Sequence, residues 1–234
     1  MTFVIPHLNP GARAAVMNVG RDRVPVLIVD DLLSDAEAVA EAARRLTYGP
    51  PARAGYPGVN ADIDRDFAAA LLTQLRPPLQ SVFGVPVAAP LACDGYFGLV
   101  CTSERELLPR QGVPHVDTTQ PRSLAILYYL CEPEFGGTGF FRHRATGVET
   151  LTEDRRAGYE AALAVELEGR PPVYPRVDDP AFEVIGRAEA KFNRMLVYPG
   201  NLLHSGLVVP ERLSSDPAKG RLTGNVFVTP SAGV

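Results

Sequence analysis

Residues 114–144 read PHVDTTQPRSLAILYYLCEPEFGGTGFFRHR, and this stretch carries the features that decide the fold. Two short apolar segments, residues 122–131 and 138–143, have the length and composition of strands. The Gly136-Gly137 pair between them is typical of a turn. Upstream, His115 and Asp117 stand two positions apart, so on an extended chain both side chains point to the same face. The stretch therefore predicts sheet strands that follow a paired imidazole and carboxylate.

The segments on either side predict one early strand, two helices and several later strands. Ser34 and Glu37 have the spacing of a capping box at the start of the first helix, and Pro77-Pro78 is expected to end the second. Residues 145–187 are interpreted as an excursion from the sheet. The predicted strands are residues 24–30, 87–100, 122–131, 138–143, 194–198, 202–209 and 222–229, and the predicted helices are residues 35–46, 62–80 and 151–168. Two helices before about eight short strands predict a mainly β fold with flanking helices (α+β), a sandwich or barrel.

Composition excludes several classes of protein. The 234 residues carry a formal net charge of −4 with no dense basic stripe, which argues against a nucleic-acid partner. No apolar run approaches the roughly 18–20 residues of a membrane helix, so no membrane association is expected. The first residues lack the pattern of a signal peptide, which favours the cytoplasm. Three widely spaced cysteines without a C-x-x-C motif are expected to be reduced thiols.

A metal site is predicted from His115, Asp117 and His204. The first two share one face of an extended segment, and His204 lies in a strand-like segment after the Tyr198-Pro199-Gly200 turn. Two histidines and one carboxylate on one face of an ion leave positions open, which is the arrangement of non-haem iron(II) oxygenases. A structural zinc site would instead close its shell with four protein ligands.

A carboxylate anchor is predicted from Arg221 and Thr223. Arg221 lies 17 residues after His204 and opens a strand, and Thr223 shares its face of that strand. A guanidinium fork with a neighbouring hydroxyl suits a terminal carboxylate. Arg212 and Lys219 fall in the intervening loop and are weaker candidates.

Together these residues resemble the Fe(II)/2-oxoglutarate-dependent oxygenase superfamily, whose pattern is H-x-D, a distant second His, and then Arg or Lys with Ser or Thr two residues later. The nearest branch in pattern is the prolyl 4-hydroxylase-like one, which has an R-x-x-x-x-L-x-Y-L strand and then a Gly-Gly turn followed by Thr and Phe. The matching positions here are Arg122, Leu127, Tyr129, Leu130, Gly136, Gly137, Thr138 and Phe140. The chain departs from that branch by having Arg221 where Lys is usual and by its larger insertion.

The resemblance implies a double-stranded β-helix (jelly roll) in one domain, residues 1–234. Its helical part spans about 31–80, its core about 87–230 and its helical insertion about 147–187. His115, Asp117 and His204 would bind Fe(II); Arg221 and Thr223 would hold the distal carboxylate of 2-oxoglutarate, with Tyr129 as a further donor. Dioxygen is the second co-substrate, and hydroxylation of a small-molecule or peptidyl substrate is the implied reaction.

The substrate-binding residues and the function class leave alternatives open. One of Arg142, His143 and Arg144 is expected to face the mouth of the site, and an exposed charged strand edge is the other interpretation. A cupin-like metal enzyme without 2-oxoglutarate would not need the Arg221–Thr223 pair. A catalytically silent binding or sensor domain on the same fold would fail to bind iron.

Overall fold

The computed structural model describes residues 5–51 and 55–230, and in these residues ten strands form two antiparallel sheets. The strands are β1 (Arg13–Val19), β2 (Val24–Asp30), β3 (Gly58–Asp62), β4 (Leu91–Val100), β5 (Leu124–Tyr129), β6 (Thr138–His143), β7 (Phe182–Ala188), β8 (Arg194–Pro199), β9 (His204–Gly206) and β10 (Leu222–Pro230). The helices are α1 (Ala36–Arg44), α2 (Arg65–Phe83) and α3 (Glu153–Leu167). The large sheet has the order β1-β2-β8-β5-β10-β4-β3 and the small one β7-β6-β9. The predicted mainly β fold with flanking helices is confirmed.

The large sheet is covered on both faces. Because side chains alternate along a strand, Leu124, Ile126 and Tyr128 of β5 pack in the cluster that contains α1 and α2. Ala125, Leu127 and Tyr129 point the other way, into a cluster shared with Phe140 of β6. The near-continuous apolar sequence of β5 follows from this burial on both faces.

Helix α2 corrects the prediction that Pro77-Pro78 ends the helix. Both prolines lie inside it, and it continues to Phe83 before Gly84 closes it with a left-handed φ of 68°. Leu75 and Leu79, on either side of the prolines, are 2% and 0% exposed. Burial of these side chains in the core offsets the backbone hydrogen bonds that the prolines remove.

Several helix and strand boundaries differ from those that local sequence patterns predicted. Helix α1 starts at Ala36 with Asp35 in the capping position and no side-chain cap bond, so the Ser34 capping box is wrong. Strand β1 was not predicted from the sequence, and most of β3 lies where a loop was predicted. Residues 182–187, placed in the insertion, belong to β7, which pairs with β6. None of the helices in the described ranges is both long and apolar enough to cross a membrane.

Candidate metal centre and active-site cavity

The structure brings His115, Asp117 and His204 together. One ligand-type atom from each lies within 4.8 Å of the other two. The Nε2 atom of His204 is 3.6 Å from one carboxylate oxygen of Asp117, and the Nε2 atom of His115 is 3.9 Å from the other. Two imidazole nitrogens and one carboxylate therefore lie close enough together to bind one ion.

Backbone pairing explains why these residues meet. His115 and His204 form an antiparallel bridge with both N–H···O distances at 2.9 Å. The amide of Asp117 donates to the carbonyl of Gly200 at 2.8 Å. The H-x-D segment is thus held against the chain between the Tyr198-Pro199-Gly200 turn and β9, which positions the second histidine opposite the first.

The two imidazoles are suited to bind a cation. The Nδ1 atom of His204 lies 2.8 Å from the carbonyl oxygen of Leu202, which fixes the proton there and leaves Nε2 free to bind. Burial lowers the pKa of His204 to about 4. Burial and then the neighbouring His204 lower the pKa of His115 to about 4, whereas Asp117 raises it. Both rings are neutral near pH 7, the state in which histidine binds metals.

These three residues stand in the wall of a cavity of about 390 Å³. Arg221, Thr223 and Asn225 of the β10 segment line the same cavity, as do Thr138 and Tyr198. The size is within the range of pockets that take small molecules. The structure therefore brings the predicted triad and the predicted carboxylate anchor to one cavity.

Arg221 is held at the end of the Gly-Gly turn and is 6% exposed. Its guanidinium donates to the carbonyl oxygens of Gly137 at 3.1 Å and Gly136 at 3.4 Å. Gly136 adopts a φ of 80°, and a Cβ there would lie 1.8 Å from the carbonyl oxygen of Leu207. This close approach explains why glycine stands at 136 in the turn that supports Arg221.

Tyr129 supports the cavity from behind its wall. Its hydroxyl forms a 2.6 Å hydrogen bond with the hydroxyl of Thr138, and the Arg221 guanidinium lies 5.5 Å from its ring centre. Thr138 lines the cavity, whereas Tyr129 is not one of the lining residues. Tyr198 is a lining tyrosine that sequence reasoning missed, and its ring centre is 4.8 Å from that of His204. The sequence signal that could have identified Tyr198 is its position two residues before Gly200, in the turn that leads to His204.

The substrate role predicted for Arg142, His143 and Arg144 stays a prediction, and these residues are not among those that line the described cavity. Arg142 forms ion pairs with the buried Glu149 and with Glu183. His143 is 0% exposed. Its ring nitrogens lie 2.8 Å from the Thr146 hydroxyl and 2.7 Å from the Glu166 carboxylate. Buried polar groups need such partners, so this segment holds the insertion to the small sheet.

Comparison with solved structures shows that the chain shares its fold with a protein crystallised with nickel and 2-oxoglutarate. HygX from Streptomyces hygroscopicus with nickel and 2-oxoglutarate bound matches with a TM-score of 0.52 at 14% identity, over 90% of this chain and 85% of that one. The same protein with nickel, 2-oxoglutarate and hygromycin B matches at 0.50, with 14% identity and coverages of 90% and 84%. The non-heme α-ketoglutarate-dependent epimerase SnoN from nogalamycin biosynthesis matches at 0.49, with 13% identity and coverages of 90% and 80%.

Sequence comparison identifies the family. A family model described as a family of unknown function, DUF6445, matches residues 10–228, and the chain belongs to that family. No curated protein matches the sequence. The resemblance to the oxygenase superfamily is confirmed at the level of the fold, and the prolyl 4-hydroxylase-like branch stays a prediction.

Proposed function

We propose that this protein is a non-haem iron(II) enzyme that couples decarboxylation of 2-oxoglutarate to oxidation of a small molecule. The observation that carries the proposal is the meeting of His115, Asp117 and His204 in one cavity with Arg221 and Thr223. A metal site and a carboxylate anchor are both needed for this co-substrate. Neither feature alone would distinguish the reaction class.

The residues present fit iron(II). In the described part of the chain, three candidate ligands come together and no fourth joins them, which disfavours a closed structural zinc site. Two histidines and one carboxylate leave positions open for other molecules. When bound, iron(II) supplies the oxidising chemistry with dioxygen. The neutral imidazoles of His115 and His204 and the carboxylate of Asp117 would hold it.

The protein's own part in the reaction is binding, orientation and exclusion of water. Arg221 would form charge-assisted hydrogen bonds to the distal carboxylate of 2-oxoglutarate, and the Thr223 hydroxyl would add one more. Tyr129 would act through Thr138, whose hydroxyl it holds at the cavity wall. Support for this co-substrate also comes from HygX, which shares the fold and whose structure contains 2-oxoglutarate.

We further propose the finer architecture that the family resemblance implies. The two sheets would form a double-stranded β-helix, and residues 1–234 would make one domain with α1 and α2 as its helical part. The substrate would be a small molecule, because the cavity of about 390 Å³ has the size of a small-molecule pocket, and HygX has been solved with hygromycin B bound. Hydroxylation is the expected outcome.

Anaerobic titration of the metal-free protein with iron(II) and then 2-oxoglutarate tests the proposal. The expected result is the weak visible charge-transfer band of the chelate, and its loss in His204→Ala. His7→Ala is the matched control, because His7 is exposed and remote in sequence from the triad. Iron binding without the band would favour the cupin-like alternative. Absence of iron binding would favour the silent binding domain.

A further inference from the structure

An ion pair between Arg110 and Glu160 lies in the wall of the cavity. Arg110 belongs to the short 3₁₀ turn Pro109–Gly112 that precedes the H-x-D segment, and Glu160 belongs to the middle of α3. In the described residues, each has the other as its one ion-pair partner. The pair therefore joins the insertion helix to the segment that carries the metal site.

The pair is distinctive because of the wall around it. Apart from the triad and Arg221, Arg110 and Glu160 are the charged side chains among the described lining residues. Much of the wall is apolar or aromatic, including Val113, Leu151, Leu163, Tyr174 and Val208. Such a wall suits the apolar body of a ligand, while a few polar groups fix its orientation.

The two partners differ in how easily they can leave each other. The Arg110 side chain is 60% exposed, whereas that of Glu160 is 34% exposed. Arg110 is long and can turn into solvent, and an exposed ion pair contributes only about 0–1 kcal/mol. Glu160 has a shorter side chain on a helix whose Tyr159 and Leu163 are 4% and 2% exposed.

Further contacts keep the Glu160 carboxylate in the wall. Helix α3 is held near its end by the 2.7 Å contact between Glu166 and His143 and near its start by the 2.9 Å bond from the Thr119 hydroxyl to Glu153. If Arg110 turns away, the Glu160 carboxylate loses the guanidinium donor and remains in the cavity wall as an acceptor. An incoming ammonium group can then take the place of the guanidinium, since its three donors suit a carboxylate.

We propose that Glu160 is a specificity-determining residue and that the substrate is a small molecule with an apolar body and a cationic amino group. The ammonium replaces Arg110 as the partner of Glu160, and Arg110 pairs with Glu160 when the site is empty. This assignment rests on the proposed function, because it names the substrate class of the same cavity.

Three probes with the same apolar body test the assignment: 4-phenylbutylammonium, 4-phenylbutanol and 4-phenylbutyrate. Dissociation constants are measured by calorimetry, both on the metal-free protein and on the protein with iron(II) and 2-oxoglutarate under anaerobic conditions. The ammonium is expected to bind about five-fold more tightly than the alcohol, the scale of a partly exposed ion pair. Glu160→Gln should remove this preference. Arg110→Gln should strengthen ammonium binding, because it removes the competing cation.

Glu168→Gln is the matched control, because Glu168 directly follows the same helix, is exposed and is not a lining residue. It should leave all three constants unchanged. Preference for the butyrate that disappears in Arg110→Gln would overturn the proposal. So would equal binding of the three probes, no binding of the ammonium, or an ammonium preference that survives Glu160→Gln. The proposed function and this assignment can fail separately. An ammonium preference that depends on Glu160, without a 2-oxoglutarate chelate band, would contradict the proposed function and support the assignment of Glu160.

Discussion

Replacement of Arg221 by glutamine is expected to weaken 2-oxoglutarate binding about 100-fold. Arg221 is 6% exposed, so a carboxylate bound to it is largely removed from water. Truncating one partner of such a buried charged pair costs about 2–5 kcal/mol. Glutamine keeps one donor, which places the loss near 3 kcal/mol, or about 100-fold in the dissociation constant. Arg221→Lys keeps the charge but loses the planar fork, so its loss should be smaller.

The effect of Arg221→Gln on stability can be measured separately from its effect on 2-oxoglutarate binding. The bonds from Arg221 to the Gly136 and Gly137 carbonyls contribute about 1 kcal/mol each. Removal of a buried charge offsets part of that loss. The free energy of unfolding without ligands should therefore change by less than about 2 kcal/mol, as urea denaturation would report.

The assay is anaerobic titration of the iron(II)-loaded protein with 2-oxoglutarate, followed by the chelate band. Arg212→Gln serves as the control, because Arg212 is an exposed arginine of the loop before β10. A dissociation constant for Arg221→Gln within about three-fold of wild type would correspond to a loss of binding free energy well under the roughly 2–5 kcal/mol expected for a buried pair. That result would refute the assignment of Arg221 as the carboxylate anchor. That result with normal iron affinity would favour a metal enzyme that does not use 2-oxoglutarate.

Two further predictions concern stability. Hydrogen bonding from Arg194, and secondarily Lys191, lowers the pKa of Asp30 to about 2 despite burial. A carboxyl whose folded pKa is depressed stabilises the protein above its unfolded pKa, and this contribution is lost as the pH falls from about 4 to about 2. Asp30→Asn should therefore lower the free energy of unfolding by up to about 2 kcal/mol at pH 7, with a difference that vanishes near pH 2 in urea titrations; a constant difference across this range would contradict the assignment. His143→Ala removes a ring whose centre lies 5.1 Å from those of Tyr159 and Phe182 and leaves Glu166 unpaired, so we expect a loss of about 2–4 kcal/mol with unchanged iron and 2-oxoglutarate affinity. Normal stability with altered probe binding would instead assign His143 to the substrate.

The sequence by itself determined the elements whose signals are local. The strands at 24–30 and 138–143 were predicted within their observed bounds, because period and composition describe strands directly. The H-x-D spacing predicted two side chains on one face, and the structure brings His204 to them. The anchor positions Arg221 and Thr223 followed from the same two-residue spacing on a strand, and both line the cavity.

Tertiary structure decided what depends on distant partners. Helix α2 runs through Pro77-Pro78, since core contacts outweigh a local break. Strand β3 exists because it pairs with β4, although its own sequence has no strand period. Arg142 and His143 pair with Glu149 and Glu166 and are not among the residues that line the cavity. Arg110 meets Glu160 across 50 residues of sequence. Spacing along the chain fixes which side chains share a face, but only packing decides what that face meets.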